Sequence, residues 1–256
     1  MVALKSTIAA LAVAVGLGAA TPALAAGEAP TPPDISWSFE GVFGTYDRAQ
    51  LQRGFQVYKE VCSSCHSMDL VAYRHLEMIG FSEDEVKAIA AQYQVIDGPD
   101  DTGEMFRRPA EPSDYFVNPF PNEQAARMAN GGAYPPDFSV LAQARANGAD
   151  YINGMLIGYD DPPPDVELMP GMYWNEYFPG HQIAMPPILQ EGIVQYADGT
   201  PNTLDQMARD VTAFLMWAAE PHLETRKQTG VKVVLFLLVF AGMMYAVKRK
   251  VWADQH

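Results

Sequence analysis

Two cysteines and a histidine stand together in Cys62-Ser63-Ser64-Cys65-His66, and these are the only cysteines in the 256 residues. Two thiols separated by two positions, with a histidine immediately after, is the spacing that attaches haem c. Each thiol can add to one vinyl group of the porphyrin, and the adjacent imidazole then reaches the iron from one side of the ring. Other uses of a cysteine pair fit less well. A structural zinc takes about four ligands, and no second Cys/His pair is present. A redox dithiol belongs in a βαβ context, whereas the flanking residues here read as helix.

An iron that only moves electrons needs its second axial position filled, and a soft thioether there favours the ferrous state and raises the potential. Of 13 methionines, Met185 fits best. It lies in His181-Gln182-Ile183-Ala184-Met185-Pro186-Pro187-Ile188, where two prolines exclude helix and hold the chain extended. Met169 and Met172 occupy another Pro/Gly loop, and most methionines simply fill core gaps. His181, four residues earlier, leaves a bis-histidine alternative open. His75, nine residues beyond His66, reads as a hydrogen-bond partner within the domain. Arg127 is a candidate to neutralise a haem propionate, and an exposed ion pair is its competing role.

The elements that position these residues follow from local signals. Asp47, with Gln50 three residues later, reads as a helix cap with its reciprocal partner, and Leu51, Phe55, Tyr58 and Val61 recur at helical spacing into Cys62. Ser82 caps a second helix through Tyr93, with acids on its first turn. Residues 97–121 and 160–180 are rich in Gly and Pro and read as loops; residues 127–139 read as turns, and 140–157 as one or two short helices. Thr203 caps an apolar helix over 204–219, which Pro221 stops.

Both ends of the chain point to a membrane. Residues 1–25 carry one early charge, Lys5, then an apolar run ending in Ala23-Leu24-Ala25, the pattern of a cleaved bacterial export signal. Residues 229–247 are just long enough to span a bilayer. Lys248-Arg249-Lys250 closes that run with Trp252 beyond it, as at a cytoplasmic interface. The expected organisation is therefore a signal peptide over 1–25, an exported periplasmic domain over 26–228, a transmembrane helix over 229–247 and a cytoplasmic tail over 248–256. Between Ala26 and Thr225 there are 10 Lys/Arg against 30 Asp/Glu, a net of −20. Such a field repels nucleic acid and attracts basic proteins.

Beyond the haem motif, the chain resembles the cytochrome c1 family of the cytochrome bc1 complex in its α-proteobacterial and mitochondrial forms. The resemblance is carried by Arg53 to Met68, Tyr73-Arg74-His75-Leu76, Asp97-Gly98-Pro99, Gly103-Glu104-Met105-Phe106, Asn130 to Ser139, Ile183 to Pro187, and Phe214 to Pro221. It implies a mainly α fold: a cytochrome c-like haem domain with long loops, plus one C-terminal transmembrane helix. It further implies one covalently attached haem c, thioether bonds at Cys62 and Cys65, His66 and Met185 as axial ligands, and Arg127 at a propionate. The implied partners are a cytochrome b subunit, the Rieske iron–sulfur protein as electron donor and a soluble cytochrome c as acceptor. No bond chemistry is expected of the chain itself, because the cofactor carries the one-electron step. Some bacterial relatives have an additional disulfide between the two ligands. This chain has no spare cysteine, so proline and packing must rigidify its Met185 loop.

Overall fold

In a computed structural model of the protein, residues 30–255 are described. The expected export signal over 1–25 lies outside them. The fold is mainly helical, with two short two-stranded sheets and one long apolar helix at the C-terminal end.

Helix α1 spans Arg48–Glu60 and delivers the chain into the Cys62 turn. The Asp47 carboxylate caps it, accepting from the backbone N–H of Ala49 at 2.9 Å and of Gln50 at 3.2 Å. No return bond comes from Gln50, so Asp47 satisfies both donors alone. The reciprocal arrangement does form at α2, Glu83–Ala90, where Ser82 and Glu85 each bond the other's backbone N–H.

Residues expected to be irregular contain more order than their composition suggests. Strands β1, Gln94–Asp97, and β2, Phe106–Pro109, pair antiparallel, with Asp97 opposite Phe106. Arg108 fastens this hairpin by bonding both Asp97 and Asp114. The signal lay in long-range ion pairing rather than in strand periodicity. Asn122 caps the short helix α3, Glu123–Ala129, so Arg127 sits on a helix and not in a turn. Helices α4, Leu141–Ala144, and α5, Gly148–Ile157, occupy the stretch expected to hold them. Strands β3, Tyr173–Trp174, and β4, Gln182–Ile183, then close a small hairpin just before Met185.

The core is built where α1 crosses α6, Leu204–Ala219, and the crossing is unusually close at Gly54. A Cβ on Gly54 would lie 2.0 Å from the Asp210 carbonyl oxygen and 2.7 Å from Phe214 Cβ. Phe55 and Tyr58 of α1 meet Phe214 at 5.7 Å between ring centroids, and Phe55 meets Phe116 at 6.0 Å. Beside them the fully buried Asp210 accepts from Arg53 Nε at 2.9 Å and Gln206 Nε2 at 2.8 Å. This crossing fixes the end of α1, and with it the direction in which the cysteine turn leaves.

Helix α7 runs without interruption over Leu223–Val251. Residues 223–228, ahead of the span expected over 229–247, are thus already its first turns. Its 29 residues rise about 43 Å, enough to cross a hydrocarbon core of about 30 Å, and its large apolar side chains from Val233 to Val247 are exposed.

Replacing Gly54 with alanine forces the two helices apart. We expect Gly54→Ala to cost about 2–3 kcal/mol through overpacking and to lower the thermal midpoint by roughly 5–10 °C. An unchanged midpoint, followed by circular dichroism of the purified protein, would show that the crossing tolerates a side chain.

Candidate haem site

The backbone gathers Cys62, Cys65 and His66 into one turn. The N–H groups of Cys65 and His66 both donate to the Cys62 carbonyl, at 3.1 and 3.0 Å. Both thiols are free, Cys62 buried and Cys65 half-buried. Burial pushes the Cys62 thiol up to about 12, with a smaller contribution from Cys65 beside it. A dithiol redox centre works through a depressed thiolate, and this environment does the opposite.

His66 is buried, with its ring stacked on Phe138 at 4.0 Å between centroids and 16° between planes. Its Nδ1 lies 2.9 Å from the Pro136 carbonyl oxygen. A carbonyl can only accept, so the proton must be on Nδ1, and Nε2 is left with a free lone pair. Burial also lowers the pKa of the imidazole, more than the Pro136 bond and nearby Asp137 raise it. The result is a neutral, oriented imidazole with one nitrogen fixed by an outer partner, which is what a metal-ligating histidine requires.

The Pro136 carbonyl is itself held in place. Asp137 accepts from the Ser67 hydroxyl at 2.7 Å, the Asp69 N–H at 2.9 Å and the Ser139 N–H at 2.8 Å. The Ser139 hydroxyl in turn accepts from the Leu70 N–H at 3.0 Å. The segments on either side of the histidine ring are therefore stitched to each other. Sequence reasoning singled out the stretch containing Asp137 but not its role, which shows only when residues about 70 positions apart meet.

Met185 lies on a separate loop after β4 and is half-buried. Its carbonyl oxygen accepts from the Tyr159 hydroxyl at 2.9 Å, and buried Ile183 and Leu189 anchor the loop on both sides. Tyr159 is a second residue that sequence reasoning missed. Among the described residues no hydrogen bond joins Met185 to the cysteine turn. Its competitor His181 has its ring stacked on Trp174 at 4.6 Å and its Nδ1 3.2 Å from the Asn175 carbonyl oxygen. His75 Nδ1 accepts from the Ala72 N–H at 3.1 Å, closing a turn of its own segment.

Arg127 is about half exposed. It pairs with Glu123 at 2.7 Å, donates to the Gly132 carbonyl at 3.0 Å and covers the Tyr134 ring at 5.5 Å. Among the described residues no three His, Cys, Asp or Glu side chains are grouped to hold a bare metal ion. A covalent porphyrin asks for less from the protein: two thiols and one free imidazole nitrogen in a single turn. These residues fit haem c.

Comparison with known proteins points the same way. The Cytochrome C1 family profile matches residues 37–255. Cytochrome c1 of Rhodospirillum rubrum is 50% identical over 234 residues, covering 85% of this chain and 86% of that protein. A potato (Solanum tuberosum) protein named cytochrome c1-2, heme protein, mitochondrial, is 51% identical over 218 residues, covering 85% of this chain and 84% of that one. A Bradyrhizobium diazoefficiens protein named cytochrome b/c1 is 49% identical over 247 residues; the match takes in 88% of this chain but only 36% of that longer protein.

The Asp137 network gives the site a dependence on acid. Burial alone would raise this carboxyl, but the bonds from Ser139, Ser67 and Asp69 outweigh it and hold the group below its ordinary value. Its contribution is therefore complete above the unfolded value of about 3.9 and is lost as pH falls through the lower folded value. Asp137→Asn is expected to cost about 1 kcal/mol, allowing for partial exposure. That deficit should be constant from pH 5 to 7, shrink as pH falls below about 3.9 and vanish only below the lower folded value. Thermal midpoints of the two proteins across that range decide the matter; a deficit that persists in acid would assign the effect to packing.

Proposed function

The chain belongs to the cytochrome c1 family, the haem subunits of the bc1 complex, and from that premise we propose that it accepts an electron from the Rieske iron–sulfur protein and passes it to a soluble cytochrome c. The observation that carries this reading is His66: a buried neutral imidazole, locked on one side by Pro136 and free at Nε2, in the same turn as two free thiols.

Haem c, when bound, supplies the one-electron ferric/ferrous couple. Cys62 and Cys65 would hold the porphyrin through thioether bonds and so retain the cofactor. His66, through Nε2, and Met185, through its sulfur, would be the residues that hold the iron. With both residues engaged, the site would keep dioxygen out and keep reorganisation small. The Tyr159 hydroxyl on the Met185 carbonyl holds the sulfur's own residue. Arg127, which in the structure pairs with Glu123 beside the Tyr134 ring, would serve a propionate.

The acidic surface then has a use. Asp160, Asp161, Asp165, Glu167 and Glu176 are all exposed on the segment that leads to Met185, and such a surface raises encounter rates with a basic cytochrome c in a salt-dependent way. In the membrane, α7 anchors the chain beside a cytochrome b subunit, an arrangement supported by the name of the longer Bradyrhizobium protein. The proposed orientation puts the haem domain in the periplasm, the anchor over 229–247 and Lys248-Arg249-Lys250 in the cytoplasm.

Met185→Leu tests the ligand set. A redox titration should show a lower midpoint potential, and carbon monoxide should bind the reduced protein. Tyr159→Phe should shift the potential in the same direction by a smaller step. An unchanged titration of Met185→Leu, with no carbon monoxide binding, removes Met185 from the iron.

A further inference from the structure

The N-terminal segment makes a collar around the start of α7. Trp37, Phe39 and Tyr46 are buried and form a row of rings, Trp37 to Phe39 at 5.4 Å and Phe39 to Tyr46 at 5.3 Å. Trp37 Nε1 donates to Asp150 of α5 at 2.7 Å. The Tyr46 hydroxyl lies 3.2 and 3.1 Å from the carbonyl oxygens of Met216 and Glu220, where α6 ends. The Tyr46 N–H and Arg48 both bond Glu224 at 2.8 Å. Lys227 Nζ donates to the carbonyls of Phe39 and Gly44, at 2.5 and 3.4 Å.

Between those two carbonyls the chain turns tightly. Gly41 has φ +65°, and a Cβ on Gly44 would lie 1.9 Å from the Glu40 carbonyl oxygen. The turn thus has a fixed shape, and it presents Val42 and Phe43 outward, 60% and 85% exposed. A closed turn anchored at both ends has no internal reason to expose a phenylalanine. Its base is fastened to Lys227, two residues before the apolar span expected from Thr229 onward. Glu224, Lys227 and Val231 are half-buried at positions that share one face of α7, and Val231 lies about 6 Å further along the axis than Lys227. Shielding on the collar's side of the helix therefore continues to the level at which the span begins.

We infer that the Val42–Phe43 turn is a second membrane contact, resting in the headgroup and acyl boundary beside α7. The two residues at its tip can reach about 7 Å from its base, which matches the roughly 5–10 Å to which interfacial apolar side chains enter a bilayer. An aromatic residue suits that layer. One helix alone leaves a domain free to tilt about its axis; a helix and a turn beside it define a plane. The collar transmits that plane through Trp37 and Asp150 to α5, and through Tyr46 to the end of α6. Its consequence is a haem domain held at one height and inclination above the bilayer. The inference rests on α7 crossing the membrane and does not depend on which residues ligate iron.

The test is the depth of position 43. Full-length Phe43→Cys protein, purified from membranes with its bound subunits, is labelled with a nitroxide and reconstituted in phosphatidylcholine vesicles. Collision with oxygen, which concentrates in lipid, is compared with collision with a water-soluble nickel chelate. We expect oxygen to dominate several-fold at position 43, and the chelate to dominate at Ile96→Cys, an exposed site on the β1–β2 hairpin. Access of the chelate to position 43 equal to that at position 96 would overturn the inference. So would a position 43 that neither reagent reaches, because a protein neighbour and not lipid would then cover it. Val42→Cys provides the same reading if Phe43→Cys protein is not recovered. One label per chain is expected, since thioether bonds consume Cys62 and Cys65. Labelling of all three cysteines counts against the haem assignment instead, and subtraction of identically treated unsubstituted protein still isolates position 43.

Discussion

A single backbone acceptor decides what His66 can do. Because the Pro136 carbonyl cannot give a proton, it draws the imidazole proton to Nδ1 and leaves Nε2 as the ring's only electron pair. Without that bond a buried imidazole could adopt either tautomer and swing about its side-chain torsions. With it, and with Phe138 stacked on the ring, the nitrogen has one direction. Proline is well chosen for the position: its φ is restricted, and the residue following it is Asp137, whose carboxylate binds back to Ser67 and Asp69. The histidine and the segment that orients it are thus held to each other directly, independently of the remainder of the domain.

The helical frame serves the same end from the other side. The α1–α6 crossing at Gly54 and the aromatic cluster of Phe55, Tyr58 and Phe214 fix where α1 ends, and α1 ends at the cysteine turn. Helix α6 leads almost at once into α7, so one rigid path runs from the turn, through the crossing, to the membrane. The collar of residues 37–48 closes around the junction of α6 and α7, where that path would otherwise bend.

Much of this was legible in the sequence, and what was not has physical reasons. The Cys-x-x-Cys-His spacing is local chemistry, and the caps Asp47, Ser82 and Thr203 are local hydrogen bonds, so both can be read from neighbouring residues. The apolar run at the C-terminal end is legible for the same reason, although α7 begins six residues earlier than hydrophobicity alone suggests, because a helix does not stop where its side chains become polar. The β1–β2 hairpin was missed because Arg108 makes it, through partners 11 and 6 positions away. The roles of Asp137 and Tyr159 were missed because each acts on a segment far from it in the chain. Met185 was readable as a candidate from its prolines, but nothing in its neighbours reveals that a distant tyrosine holds it.

The turn of Cys62, Cys65 and His66 is proposed to carry a covalent haem within a bc1-type assembly. The most direct measurement is a reduced-minus-oxidised visible spectrum of the full-length protein, purified gently from membranes and recorded before and after extraction with acidified acetone. We expect c-type and b-type absorbance together beforehand, and only the c-type band remaining with the protein afterwards. Absorbance lost completely to the acetone, or no haem band at any stage, would contradict it and return the two cysteines to thiol or metal chemistry.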